Sequence, residues 1–241
     1  PRLMRLFKPS WWTYHLRHRN VPLFWWRYFT TPLFPEGMSS LDELVEFGKH
    51  HQIMGFNHQT IRAYIIWNLH RYFKCTSFVE TGTLYGQTTA YARRLFKTPI
   101  FTSEIYPTYY GFSKANLAFT TGVSQYKGNS TDFLRNVCRE SVIGENPMFY
   151  LDAHWYEYLP LAEEIGIIQN QCERGVIVID DFFVAGSPGF DFDEYPGARI
   201  DRRIVDSVLG KGGEKPVVYE PSYPSEREPY GKATGFGVVL L

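Results

Sequence analysis

Residues 78–92 read FVETGTLYGQTTAYA: an apolar start ending on Glu80 and Thr81, a turn bounded by Gly82 and Gly86, then a helix-compatible stretch. A strand that passes through two glycines into a helix reads as the opening βα unit of an open α/β sheet. The glycines let the chain turn tightly and let a ligand approach the backbone, and the following helix aims free N–H groups at that ligand. A plain β-to-α turn carries the same glycines, so the reading leans on what lies downstream. Glu104 ends the next apolar run, 22 residues after Gly82, where an acid accepts hydrogen bonds from a ribose diol.

The alternation continues outward. NHQTIRAYIIWNLHRYF (57–73) has the helical period, and SFVE, PIFTSEI, VSQYK, PMFYLD and GVIVID are short apolar runs, each followed by a helix-compatible stretch. That order predicts an α/β fold with a doubly wound, mostly parallel sheet covered on both faces. KPVVYE (215–220) and GFGVVLL (235–241) are separated by a Pro-, Ser- and Gly-rich loop without helical pattern and predict an antiparallel pair at one edge. The expected organisation is an N-terminal extension over residues 1–50 and one domain over residues 51–241.

The chain has 241 residues, 44% of them hydrophobic, enough for a packed core. Lys plus Arg equal Asp plus Glu at 25 each, so no global field points to nucleic acid. Residues 1–35 nevertheless hold six basic residues, no acid and ten aromatics. That mixture suits peripheral contact with a membrane or an anionic glycolipid; it also suits a helical cover over the body or a homo-oligomer contact burying the tryptophans. Cys75, Cys138 and Cys172 are odd in number and far apart, which argues against a disulfide or zinc framework. With no signal-peptide pattern and no run of about 18 apolar residues, the expected location is the cytoplasm.

A dinucleotide fingerprint needs a middle glycine for close approach to a pyrophosphate, and Leu84 stands there. Glu80 also repels phosphate but suits a ligand carrying ammonium and sulfonium charges. S-adenosylmethionine (SAM) has both. FVETGTLYGQTT, SEIYPTYYGFSKANL, KGNSTDFL, FYLDAHWYEYLP and GVIVIDDF, in this order over roughly residues 55–185, resemble the successive motifs of class I SAM-dependent methyltransferases. They are most similar to the metal-dependent O-methyltransferases of the catechol and macrocin types. The resemblance implies a seven-stranded Rossmann-like fold, with SAM held by Glu80, Gly82, Thr83, Gly86, Thr88, Glu104, Ser130 and Asp152. It also implies Mg²⁺ or another hard divalent cation held by Asp152, Asp180 and Asp181. In the macrocin type the residue two after the first metal aspartate is an acid assigned as general base, and in the catechol type a lysine one residue further on. Here His154 and Trp155 stand at those places, so His154 takes the base role. The implied reaction moves a methyl group to a hydroxyl of a sugar or other small hydroxylated acceptor, with 183–199 as a substrate wall, a lid or an ordinary surface loop. A nicotinamide-dependent oxidoreductase and a noncatalytic membrane or partner-binding protein are the alternatives, the first opposed by Leu84 and Glu80.

Overall fold

Strands β1 (Phe78–Thr81), β4 (Met148–Leu151) and β5 (Val176–Asp180) are buried along their whole lengths. A strand with no exposed side needs neighbours on both edges and helices on both faces. Accordingly β1 pairs in parallel with β2 (Ile100–Glu104) and with β4, β2 with β3 (Val123–Lys127), and β4 with β5. β9 (Phe236–Leu240) runs antiparallel to β5 and to β8 (Val218–Tyr219), completing a seven-stranded sheet in the order β3-β2-β1-β4-β5-β9-β8. This is the doubly wound sheet with an antiparallel edge pair that the alternation predicts. The structure is a computed structural model and describes residues 20–154, 158–210, 215–230 and 233–241.

Side chains alternate across the sheet with the period of two that a strand imposes. Phe78, Tyr150, Val176 and Val178 enter one core with Ile61 and Ile66 of α3 (Thr60–Tyr72) and Tyr91 and Leu95 of α4 (Gln87–Phe96). Val79, Phe149, Leu151, Ile177 and Ile179 enter the other. There they meet Phe133 of α6 (Ser130–Arg139), Ile165 and Ile168 of α7 (Leu161–Gln171), and Val205 of α8 (Arg202–Leu209). Helix α5 (Pro107–Asn116) packs beside β2 and β3. The outer strand β3 carries Ser124, Gln125 and Lys127, polar residues that discourage pairing with another chain.

Helices α1 (Val21–Thr30) and α2 (Leu41–His50) contribute Phe24, Leu44 and Val45 to the same core as Phe78 and Tyr91, and Phe34 joins them from the connection. Residues 20–50 therefore share the body's core. Residues 1–19 of the aromatic, basic segment lie outside the described residues. Within the rest of it, Phe24 and Phe34 are buried, whereas Trp26 and Phe29 are exposed. No helix among the described residues is long and apolar enough to cross a membrane. The three cysteines are free thiols, and Cys138 and Cys172 meet between α6 and the end of α7 with Sγ atoms 3.6 Å apart.

The sheet order reverses between β1 and β4, and ligands of open α/β sheets bind outside the strand ends at that point. The two chains converge there: the Asp152 N–H donates to the Thr81 carbonyl at 3.1 Å. Gly82 follows with φ of +89°, and a Cβ on it would stand 2.6 Å from the Asp152 carbonyl oxygen. Gly82→Ala is expected to lower the free energy of unfolding by about 2–4 kcal/mol, combining left-handed backbone strain with overpacking. Urea denaturation measures this, and a loss below about 1 kcal/mol would show that the two strand ends can part freely.

Candidate active site

Five strand-end segments meet at the crevice, and the alternation rule decides which side chains face one another. Asp180 closes β5 two residues after Val178, so its carboxylate turns to the α3 face. There it pairs with Arg62 of α3, both groups being shielded from water. The Tyr150 hydroxyl donates to Asp180 Oδ2 at 2.7 Å, Asn57 Nδ2 donates to the same oxygen at 3.3 Å, and the Asp181 N–H donates to Oδ1 at 2.7 Å. Asp181 takes the left-handed region with φ of +50°, and its side chain goes to the other side.

That side holds the polar cluster. His154 is 2% exposed, and its Nε2 lies 3.5 Å from Asp181 Oδ2, 3.7 Å from Asp152 Oδ1 and 3.8 Å from Asp193 Oδ2. Asp152, His154 and Asp181 each offer a donor atom within 4.8 Å of the others. Of the expected Asp152, Asp180 and Asp181 set, Asp152 and Asp181 come together with His154, while Asp180 pairs with Arg62. Burial works against charge on both members of the Asp181–His154 pair, but their mutual attraction prevails, lowering the Asp181 pKa and raising that of His154. Partial burial, with the Asp152 side chain still 31% exposed, and the charges of Asp180 and Asp181 raise the Asp152 pKa above the ordinary carboxylate range. Such a set of acids around one imidazole is relieved by a divalent cation, and its oxygen atoms are the donors a hard ion takes.

Asp193 arrives from the segment after β5. Its N–H donates to the Asp181 carbonyl at 3.0 Å and its carbonyl accepts from Ile200 N–H at 3.2 Å. Between these anchors lies a short hairpin, β6 (Glu194–Tyr195) with β7 (Ala198–Arg199). The stretch 183–199 is therefore tied to the cluster through Asp193. The Arg199 guanidinium stacks 3.8 Å over Phe183, with Phe192 alongside.

The glycine turn forms the opposite bank. Gly86, left-handed at φ of +78°, starts α4. Glu104 accepts from Leu84 N–H and from Tyr106 N–H, each at 2.8 Å, joining the turn to the end of β2. A carboxylate has about four acceptor positions, so Glu104 retains capacity for a ligand's hydroxyls; burial raises its pKa. Thr83 spends its hydroxyl on Thr102 Oγ1 at 2.7 Å, and Thr88 Oγ1 accepts from Phe56 N–H at 3.0 Å. Glu80 lies beneath the turn, accepting from the Thr102 hydroxyl at 2.8 Å and from Thr89. Ser130 begins α6 and is buried beside Glu164 of α7.

Arg62, Glu164 and Asp193 are site residues the sequence reading did not pick out. The first two had a signal. Glu164 occupies the apolar stripe Leu161, Ile165 and Ile168 of α7, and Arg62 shares a buried stripe with Ile66 and His70 of α3. A charge inside such a stripe marks a buried partner. Asp193 had none, because its position depends on the path of a loop.

Among solved structures, the chain is similar to TomG, an O-methyltransferase of Streptomyces achromogenes involved in tomaymycin synthesis and bound to SAM. Identity is 17% and the TM-score 0.55, over 89% of this chain and 94% of that one. An O-methyltransferase of Bacillus cereus in complex with SAH (S-adenosylhomocysteine) matches at 17% identity and TM-score 0.56, over 89% and 96%. A SAH-bound methyltransferase from Podospora anserina matches at 14% and 0.51, over 89% and 91%. The fold is that of the class I SAM-dependent methyltransferases. No protein-family profile matches the sequence, and no curated protein does.

Two outcomes follow for the methyltransferase-like framework. Arg62→Met leaves the Asp180 charge buried without a cation and is expected to lower stability by about 3–5 kcal/mol. In a urea-unfolding cycle with Asp180→Asn the double variant should lose less than the sum of the singles, and strict additivity would dissolve the pairing.

Burial, partly offset by the two threonine hydroxyls, pushes the Glu80 carboxyl from 4.5 up to about 7. The folded chain then holds this proton to higher pH than the unfolded chain, so its contribution to stability falls between those two values and levels off above. Glu80→Gln keeps the acceptor and removes the ionisation. Relative to wild type it should gain up to roughly 3 kcal/mol between pH 4.5 and 7.5. Parallel unfolding curves across that range would place Glu80 in a wetter setting.

Proposed function

We propose that the protein transfers the methyl group of SAM to a hydroxyl oxygen of a small acceptor, a sugar or another hydroxylated metabolite. One observation carries the reading: the Asp152, His154 and Asp181 cluster stands at the β1/β4 crevice of a methyltransferase fold. Two of the similar structures are complexes with SAM or SAH, which supports the donor. The donor's place is the bank formed by Gly82, Gly86, Thr88 and Glu104, with Ser130 toward its adenine. Thr83 and Glu80 support that bank from beneath, and Asp152 borders it.

A divalent cation held by Asp152 and Asp181 would supply Lewis-acid polarisation of the acceptor hydroxyl. The protein's own part is to orient the hydroxyl between the cluster and the Phe183, Phe192 and Arg199 wall, and to exclude water. His154, neutral once the acids are balanced, would accept the hydroxyl proton at Nε2. The convergence of Nε2 on several carboxylates favours a second reading, with His154 as a nitrogen ligand.

The test is formation of SAH and methylated product over a panel of hydroxylated acceptors. Activity should vanish with EDTA and return with Mg²⁺; undiminished turnover after chelation, with metal analysis confirming removal, would sink the cation. His154→Ala should lower the rate by about 10²- to 10⁴-fold. Unchanged Mn²⁺ affinity in that variant would assign His154 as the base, and weakened affinity would assign it as a ligand. Calorimetric binding of SAM but not NAD would set aside an oxidoreductase.

A further inference from the structure

With Asp180 paired to Arg62, Asp152 and Asp181 are the two carboxylates nearest His154, and a hard divalent cation taking six or more oxygens leaves further positions for another acid, water or substrate. Asp193 is the acid positioned to complete the set. Its carboxylate reaches the same imidazole nitrogen as the other two, at 3.8 Å. Its side chain is 7% exposed. Three carboxylates around one buried imidazole repel one another unless protons or a cation lie among them. The backbone holds Asp193 in place from both directions, through its N–H to the Asp181 carbonyl and its carbonyl to Ile200 N–H. A further acid stands behind: Glu164, 1% exposed, with a buried Oε1 that has no hydrogen-bond partner among the described residues, lies within electrostatic reach of His154. The Arg62 guanidinium donates to Asp180 and to the Thr234 and Gly235 carbonyls, and its charge opposes that of Asp152 and Asp181 in part.

We infer that Asp193, delivered by the lead-in to the β6–β7 hairpin, is the third carboxylate of the divalent-cation site. The inference rests on the reading of the cluster as such a site and adds to it a ligand twelve residues beyond Asp181. The hairpin thereby gains a function, since Phe192 and Arg199 flank the anchored segment and occupancy by the ion would order the wall against which the acceptor lies.

The experiment is calorimetric and EPR titration of the full chain with Mn²⁺, comparing wild type, Asp193→Asn, Asp181→Asn and a second replacement, Asp193→Ser. SAH binding serves as the check on folding. Asp193→Asn and Asp193→Ser are expected to weaken Mn²⁺ at least 10-fold with SAH affinity unchanged, as Asp181→Asn does. Should wild type and both Asp193 variants bind Mn²⁺ equally while Asp181→Asn fails, Asp193 is a structural neighbour; the cation site then stands and this inference falls. Absence of Mn²⁺ and Mg²⁺ binding by wild type would overturn both. A measurement on wild type alone bears on the same point: saturating Mg²⁺ should slow hydrogen exchange of the 194–200 amides. Protection confined to the segments around Asp152 and Asp181 would count against the role of Asp193.

Discussion

A guanidinium and a carboxylate without access to water, Arg62 and Asp180, join the parts of this molecule that form the crevice. Arg62 belongs to α3, Asp180 ends β5, and the same network takes in Tyr150 of β4, Asn57 before α3, and Thr234 and Gly235 at the entry to β9. A buried ion pair is weak testimony for net stability, because desolvation consumes much of what attraction returns. Its consequence here is positional. With Asp180 facing α3 and accepting from the Asp181 N–H, the chain must reverse direction at Asp181, and that reversal sends the second carboxylate to the opposite side.

The two banks of the crevice are built by different means. On the glycine side, backbone groups are gathered by acids: Glu104 holds Leu84 and Tyr106 N–H, while Glu228 holds the N–H groups of Ile61 and Arg62 at the start of α3. On the other side, acids gather around an imidazole. The first arrangement leaves N–H groups and glycine backbone to meet a nucleoside-like ligand. The second concentrates negative charge where a cation and a hydroxyl would be brought together. Both arrangements stand at the β1/β4 crevice, where the strand order reverses.

Between the banks runs a turn of unusual backbone. Phe56, Asn57 and His58 take positive φ in succession after Gly55, each a conformation that costs an L-residue about 1–2 kcal/mol. It is held by the Phe56 N–H on Thr88 Oγ1 and by Phe56 packing edge-on against Tyr150. Strain of this kind persists where the surroundings over-determine it, and here the surroundings are both strand-end banks.

Sequence alone determined the sheet, its parallel centre and its antiparallel edge, because burial on both faces writes continuous apolar runs and a crossover helix writes a 3.6 period. It also determined that Glu104, Asp152, Asp180 and Asp181 stand at strand ends, since a motif in register with a strand shows where the strand stops. What it left open was direction. Asp180 and Asp181 are adjacent and chemically identical, and only the pleat, with Arg62 on one face, decides that the first pairs with the guanidinium and the second lies beside His154. Likewise Asp193 is one acid among several in an irregular stretch, and its place beside His154 depends on backbone bonds to Asp181 and Ile200 that no local pattern encodes. Periodicity is a property of neighbours along the chain, whereas a site joins residues that are distant in sequence, and their meeting is settled by packing.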